Sequence, residues 1–189
     1  MTRVIAGTAG GRRLATPEGR DTRPTSDRAR EGLFSTAQAL LGSLSGVRAA
    51  DLYAGSGAVG LEALSRGASH ALLVESHPRA AKVIRANIEA LGLPGARLVT
   101  DKVERLLRTA PDEPYDFVFA DPPYAVPDAT VVAVLEALRD NGWLADGALV
   151  AVERASRGAA PAWPEGYVPE RERRYGEAVF HYASYERSA

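Results

Sequence analysis

Asp121-Pro122-Pro123-Tyr124 ends the apolar run at 116–124 and sets a carboxylate, a rigid backbone carbonyl and an aromatic ring within four residues. That set suits a flat base bearing an exocyclic amine. Such an amine is a poor nucleophile, because its lone pair is delocalised into the ring. Two acceptors on its hydrogens, the Asp121 carboxylate and the Pro122 carbonyl, favour a pyramidal nitrogen and direct the lone pair at an electrophile. Proline fixes φ, so the acceptors are held at little entropic cost. Tyr124 can stack on the base, a contact worth about 1–3 kcal/mol in single-stranded recognition. Asp121 need not be a strong base, since a methylated, cationic nitrogen loses its proton readily. Against this stands the plain alternative that Asp-Pro merely ends a strand and Tyr124 edges the core.

Seventy residues upstream lies Asp51-Leu-Tyr-Ala-Gly55-Ser-Gly57-Ala-Val-Gly60, with Glu75 twenty residues after Gly55. The spacing satisfies the dinucleotide fingerprint, in which glycines let backbone approach the ligand and an acid accepts the ribose hydroxyls. Taken alone it permits NAD. Asp51 points elsewhere: a carboxylate before the turn is awkward beside a pyrophosphate and welcome beside a cationic amino acid and its sulfonium. No hydride-transfer dyad of His with Asp or Arg is apparent, and Asp101 is placed to accept an adenine amino group. S-adenosyl-L-methionine is therefore the expected cofactor, with an NAD-dependent oxidoreductase as the alternative. His77 could line the adenine pocket or lie on the surface, and Glu153 is either a rim contact or half of an ion pair.

These residues need a scaffold that brings them together, and hydrophobic periodicity supplies one. Residues 3–16 read as a hairpin around Thr8-Ala-Gly-Gly11, and a helix capped by Ser26 or Asp27 runs to Gly42. Strands are expected at 49–54, 71–75, 97–100, 115–120 and 148–153. Helices are expected between them at 59–66, 78–91, 103–109 and 129–141. An antiparallel pair, 167–175 and 178–186, turns at Gly176. Short apolar strands alternating with amphipathic helices specify a doubly wound α/β sheet, with ligands at the carboxyl ends of its strands. Tyr53 to Gly57, Glu75, Asp101 and Asp121 all fall there. The stretch 156–166 reads as a surface loop.

Composition narrows the classes. With 46% hydrophobic and 25% charged residues the chain reads as one soluble globular unit. It contains no apolar run of membrane-spanning length, and its start leads into no signal-like stretch. There is no cysteine, which excludes disulfides, thiolate metal sites and a cysteine nucleophile and suits a reducing cytoplasm. Three scattered histidines suggest no metal site. Residues 1–31 carry a net charge of +3 and the remainder −4. A basic arm on a near-neutral body fits a protein that meets phosphate at one face. Arg12, Arg13, Arg23, Arg28 and Arg30 are the expected RNA contacts; for any one of them the alternative is a helix-surface pair with Asp27 or Glu31.

Asp51-Leu-Tyr-Ala-Gly-Ser-Gly, Leu61-Glu-Ala-Leu-Ser-Arg-Gly, Asp121-Pro-Pro-Tyr and Arg23-Pro-Thr-Ser-Asp-Arg-Ala-Arg-Glu-Gly-Leu-Phe34 resemble the RsmD family. These are bacterial methyltransferases acting on guanine N2 of small-subunit ribosomal RNA. The resemblance covers nearly the whole chain, hairpin included. Tyr53 and Tyr124 stand where the family often has Phe, and both keep the ring. The resemblance implies a Rossmann-like class I methyltransferase: a seven-stranded, mostly parallel sheet with an antiparallel last strand, plus an N-terminal β-hairpin. Residues 1–20 would be the basic arm and 21–189 the methyltransferase domain. It also implies S-adenosyl-L-methionine over Gly55, Glu75, Asp101 and Asp121. Asp51, Tyr53, Gly57, Ser76, Lys102 and Val103 complete the expected cofactor site, and Asp121, Pro122 and Tyr124 meet the target amine. The partner would be ribosomal RNA in an assembling or assembled 30S subunit, met by a monomer that uses no membrane and no metal. The tetrapeptide does not name its amine, so DNA adenine or protein glutamine stays as the alternative substrate. A non-catalytic RNA-binding protein with a vestigial pocket is a further alternative.

Overall fold

The computed structural model describes residues 2–19 and 25–188. Strands β1 (Thr2–Arg3) and β2 (Arg13–Leu14) pair antiparallel, Thr2 opposite Leu14. Helix α1 (Asp27–Leu41) follows, capped by Ser26, whose side chain accepts from the Ala29 N–H, and closed by Gly42. Then come β3 (Arg48–Leu52), α2 (Ala58–Ser65), β4 (His70–Val74), α3 (Pro78–Leu91), β5 (Ala96–Val99), α4 (Val103–Leu106), β6 (Tyr115–Ala120), α5 (Asp128–Asp140) and β7 (Leu144–Ala155). The chain ends with β8 (Tyr167–Tyr175) and β9 (Ala178–Tyr185).

Seven strands form one sheet in the order β5-β4-β3-β6-β7-β9-β8. The first five are mutually parallel. Strand β9, the last in the chain, inserts antiparallel between β7 and β8. This is the Rossmann-like methyltransferase architecture expected, hairpin included. Strands covered on both faces read as near-continuous apolar runs, and their side chains alternate between the two covering layers. Phe117 and Phe119 face α1, α2 and α3 with Leu33, Phe34, Leu61 and Ile84. Val118 and Ala120 face α4 and α5 with Val103, Leu135 and Leu138.

Two elements depart from expectation. Strand β7 begins at Leu144, four residues earlier than the apolar run suggests. Leu144 pairs with Tyr115, the register then shifts, and Leu149 pairs with Phe117. The polar Asp146-Gly147 step, with Gly147 at φ +81°, absorbs that shift and masks the strand's start. Helix α4 stops at Leu106 rather than Thr109. Beyond it the Arg108 and Thr109 amides bond three residues back, and side chains from the turn between α5 and β7 take two carbonyls: Asn141 Nδ2 bonds Leu107 O and Trp143 Nε1 bonds Thr109 O. Among the described residues, no helix is long and apolar enough to cross a membrane.

The N-terminal hairpin docks on α2. The Ile5 and Ala6 amides donate to the two oxygens of Glu62, and the Ala9 amide donates to Ser65 Oγ. Gly7 sits at φ +82°, and a Cβ there would fall 1.8 Å from the Ser65 carbonyl oxygen, so only glycine permits this contact. Val4, Ala9 and Leu14 join the α1–α3 core.

Candidate active site at the carboxyl edge of the sheet

In register, Leu52 pairs with both Val74 and Ala120, Val74 with Val99, and Ala120 with Val152. The residues that follow these pairs therefore stand in a row: Tyr53, Glu75, Asp101 a step beyond β5, Asp121, and Glu153 within β7. The glycine turn lies over β3. Gly55, at φ +61°, has nothing within 4 Å of where a Cβ would stand, which leaves bare backbone open to a ligand. Its N–H donates to Glu75 Oε1 at 2.9 Å, and His77 N–H donates to Glu75 Oε2 at 2.8 Å. Glu75 is thereby clamped at the turn with lone pairs to spare. Gly57 caps α2. At Gly60 a Cβ would press on Leu73 Cδ2 at 2.9 Å, so this glycine sets how closely α2 lies on the sheet.

Asp51 lies beneath the turn, 2% exposed, with Oδ2 accepting the Gly60 N–H at 2.9 Å. Burial pushes its carboxyl up to about 8; the Gly60 bond opposes the rise and the charge of Glu75 adds to it. Tyr53 takes φ +64°, the only non-glycine residue in that region among those described. An aromatic residue held there costs of order 1–3 kcal/mol, a strain that tends to gather at ligand sites. Its hydroxyl lies 3.3 Å from Glu104 Oε1, and burial followed by the charge of Glu104 raises the phenol. Asp101 Oδ1 accepts the Lys102 N–H; Ser76 and Lys102 are exposed and Val103 is buried.

Across the row, the Asp121 backbone N–H bonds Leu52 O, tying β6 to β3. Burial raises its carboxyl well above the ordinary range. The charge of Glu153 and a hydrogen bond with it act the same way, as does Asp51, while Arg154 opposes them. Pro122 is buried and Tyr124 is 40% exposed, its hydroxyl 3.4 Å from Glu153 Oε1. Glu153 is itself buried, and among the described residues its Oε2 meets no N–H donor. Thr25, from the Arg-Pro-Thr segment, bonds the same carboxylate. Arg154, also buried, straps down the loop after the tetrapeptide. Its guanidinium donates to the carbonyls of Pro123 and Val126 and pairs with Asp128 at 3.3 Å. The sequence alone assigns neither role. The signal it offers is a Glu-Arg pair directly after the apolar run 148–152.

The arginines divide. Arg12 is exposed and donates to the Ala90 carbonyl, and Arg13 and Arg28 are exposed. Arg23 lies outside the described residues. Arg30 corrects the expectation of a phosphate contact: it is fully buried, its Nε 3.4 Å from Glu62 Oε1, with further bonds to Arg3 O, Thr2 and Asp27. A guanidinium so enclosed joins hairpin, α1 and α2 and cannot reach RNA. Among the described residues, no group of three or more His, Cys, Asp or Glu side chains could hold a metal ion.

The family model described as conserved hypothetical protein 95 matches residues 2–184. The ribosomal RNA small subunit methyltransferase D of Escherichia coli is 36% identical over 187 residues, which is 99% of this chain and 90% of that protein. The protein of the same name in Haemophilus influenzae is 33% identical, covering 80% of this chain and 77% of that one. The solved structure of the Escherichia coli protein yhhF superposes with a TM-score of 0.85 at 34% identity, over 99% of each chain. With motifs, fold and relatives in agreement, the chain belongs to the RsmD family, that of conserved hypothetical protein 95.

Proposed function

We propose that this chain transfers a methyl group from S-adenosyl-L-methionine to the exocyclic N2 of a guanine in small-subunit ribosomal RNA. The observation that carries the reading is the pairing of Leu52 with Ala120, which sets the open glycine turn beside Asp121-Pro122-Pro123-Tyr124. Ribosomal RNA as the substrate is supported by the 36% identity to the Escherichia coli enzyme. Guanine N2 is supported by the resemblance of the hairpin and the Arg23–Phe34 segment to that family.

The donor set fits the cofactor. Bare backbone at Gly55 accepts a ligand's approach, and Glu75 has lone pairs free for ribose hydroxyls. Asp101 accepts the adenine amino group. The buried Asp51 carboxyl, which ionises reluctantly on its own, gains a partner in a cationic amino acid. When bound, the cofactor supplies a methyl group already activated on a sulfonium. The chain's own residues position the acceptor: a carboxyl oxygen of Asp121 and the Pro122 carbonyl take the amine hydrogens, and Tyr124 stacks on the base. Positioning of this kind supplies much of the rate when the electrophile is already reactive. A base amine reaches such a site only from an unstacked nucleotide, so the substrate is a loop or an assembly intermediate of the 30S subunit.

Tritium transfer from labelled cofactor to undermethylated small subunits, followed by nucleoside analysis, tests the reading. Label in N2-methylguanosine is expected, and Asp121→Ala should lower transfer at least 100-fold with adenosylhomocysteine affinity kept within about 1–2 kcal/mol. Label in methyladenosine, or full activity in the variant, would contradict it.

A further inference from the structure

Glu153 is a buried carboxylate to which the proposed reaction so far gives no task. It stands beside Asp121 because Val152 pairs with Ala120. Among the described residues, the groups facing it are Asp121 from the end of β6, Tyr124 from the following loop and Thr25 from the segment before α1; Arg154 and Asp51 act on the pair through Asp121. Two carboxyls bonded to each other need a proton between them, since two carboxylates offer only acceptors. The hydroxyls of Tyr124 and Thr25 bond the Glu153 carboxylate and favour its anion, which places the shared proton on Asp121. The guanidinium of Arg154 is committed to the carbonyls of Pro123 and Val126 and to Asp128, and among the described residues no N–H donor meets Glu153 Oε2.

Resting on the function proposed above, we infer that Glu153 is the terminus of a proton relay that runs from the methylated amine through Asp121. As the N–C bond forms, the S–C bond breaks and leaves its electron pair on sulfur, so positive charge passes to nitrogen. In the same step the nitrogen passes one proton to the Asp121 oxygen that faces it. Asp121 gives up, from its other oxygen, the proton it held, and Glu153 receives it. The pair holds one proton before transfer and two after, and solvent takes the extra one on product release. Asp121 stays neutral throughout and can act again. Glu153 touches neither base nor cofactor and acts only through Asp121. Tyr124 and Thr25 hold its orientation.

Glu153→Gln keeps the size and can still bond Asp121 but cannot take up a proton, while Glu153→Asp keeps the carboxylate. The free protein, labelled with 13C at its carboxyls, is titrated by NMR. In wild type, Asp121 and Glu153 should titrate as two coupled steps. In Glu153→Gln, Asp121 should titrate once and at lower pH, having lost its like-charged neighbour. In single-turnover transfer to small subunits, Glu153→Gln should be slower by about 100-fold, the lower end of what proton transfer contributes, with part of the loss recovered in Glu153→Asp. Its thermal midpoint and adenosylhomocysteine affinity should match wild type. An Asp121 titration that ignores the substitution, or single-turnover rates within twofold of wild type, overturns the relay. A wild-type protein that methylates no RNA would instead strike at the proposed function, while the titration would still report whether the proton is shared.

Discussion

At the scale of single residues, Asp51 shows how burial prepares a group for a ligand. Its carboxyl, raised from 3.8 to about 8, favours the protonated form in the folded chain. The contribution to stability is therefore complete below about pH 4 and is lost as pH rises through about 8. Asp121 and Glu153, also raised, act in the same sense. Asp51→Asn keeps an acceptor for the Gly60 N–H and has no proton to lose. Thermal midpoints followed from pH 5 to pH 9 without cofactor should fall less in the variant, by about 3 °C or more, given roughly 2–4 °C per kcal/mol in a chain of this size. Equal slopes would mean that Asp51 is not the titrating group. Asp51, Glu75 and Asp121 were legible in the sequence because each closes an apolar strand at a spacing that chemistry recognises. Glu153 follows an apolar run too, inside β7, but its meaning depends on Asp121, thirty-two residues away and adjacent only through strand pairing.

At the scale of elements, Glu62 shows what the segment Leu61-Glu-Ala-Leu-Ser-Arg-Gly does in this architecture. Its two oxygens accept from the Ile5 and Ala6 amides and from Arg66 Nε at 2.8 Å, and they neutralise the buried Arg30. Removing one partner of a buried ion pair leaves the other charge uncompensated, at about 3–5 kcal/mol. Glu62→Ala should lose that much in urea unfolding, with the hairpin amides of Ile5 and Ala6 exchanging first; a loss under about 1 kcal/mol would show that the hairpin does not depend on this residue. Periodicity located nearly every helix and strand, and Ser26 and Gly42 bounded α1 as their capping chemistry requires. It failed where tertiary partners decide. Helix α4 ends where Asn141 and Trp143 claim the carbonyls of Leu107 and Thr109 just beyond it, and Arg30 turns inward because Glu62 waits on another helix.

At the scale of the molecule, charge is divided as the proposed substrate requires: a near-neutral enzyme body beside a basic arm. Arg12 and Arg13 are exposed cations of that arm, so replacing both with alanine should weaken RNA binding most at low salt. The slope of log affinity against log salt should flatten by about one for each phosphate that the arm no longer neutralises. A filter-binding titration that gives parallel lines would remove the arm from the interface. The account as a whole requires the cofactor's sulfur to face the amine-gripping residues. A crystal structure with adenosylhomocysteine measures this directly. The adenosine should lie over Gly55 with its ribose on Glu75, and the sulfur should open toward Asp121 and Tyr124 with room for one methyl group and a base. A sulfur turned away from Asp121, or an adenosine bound elsewhere on the sheet, would contradict it.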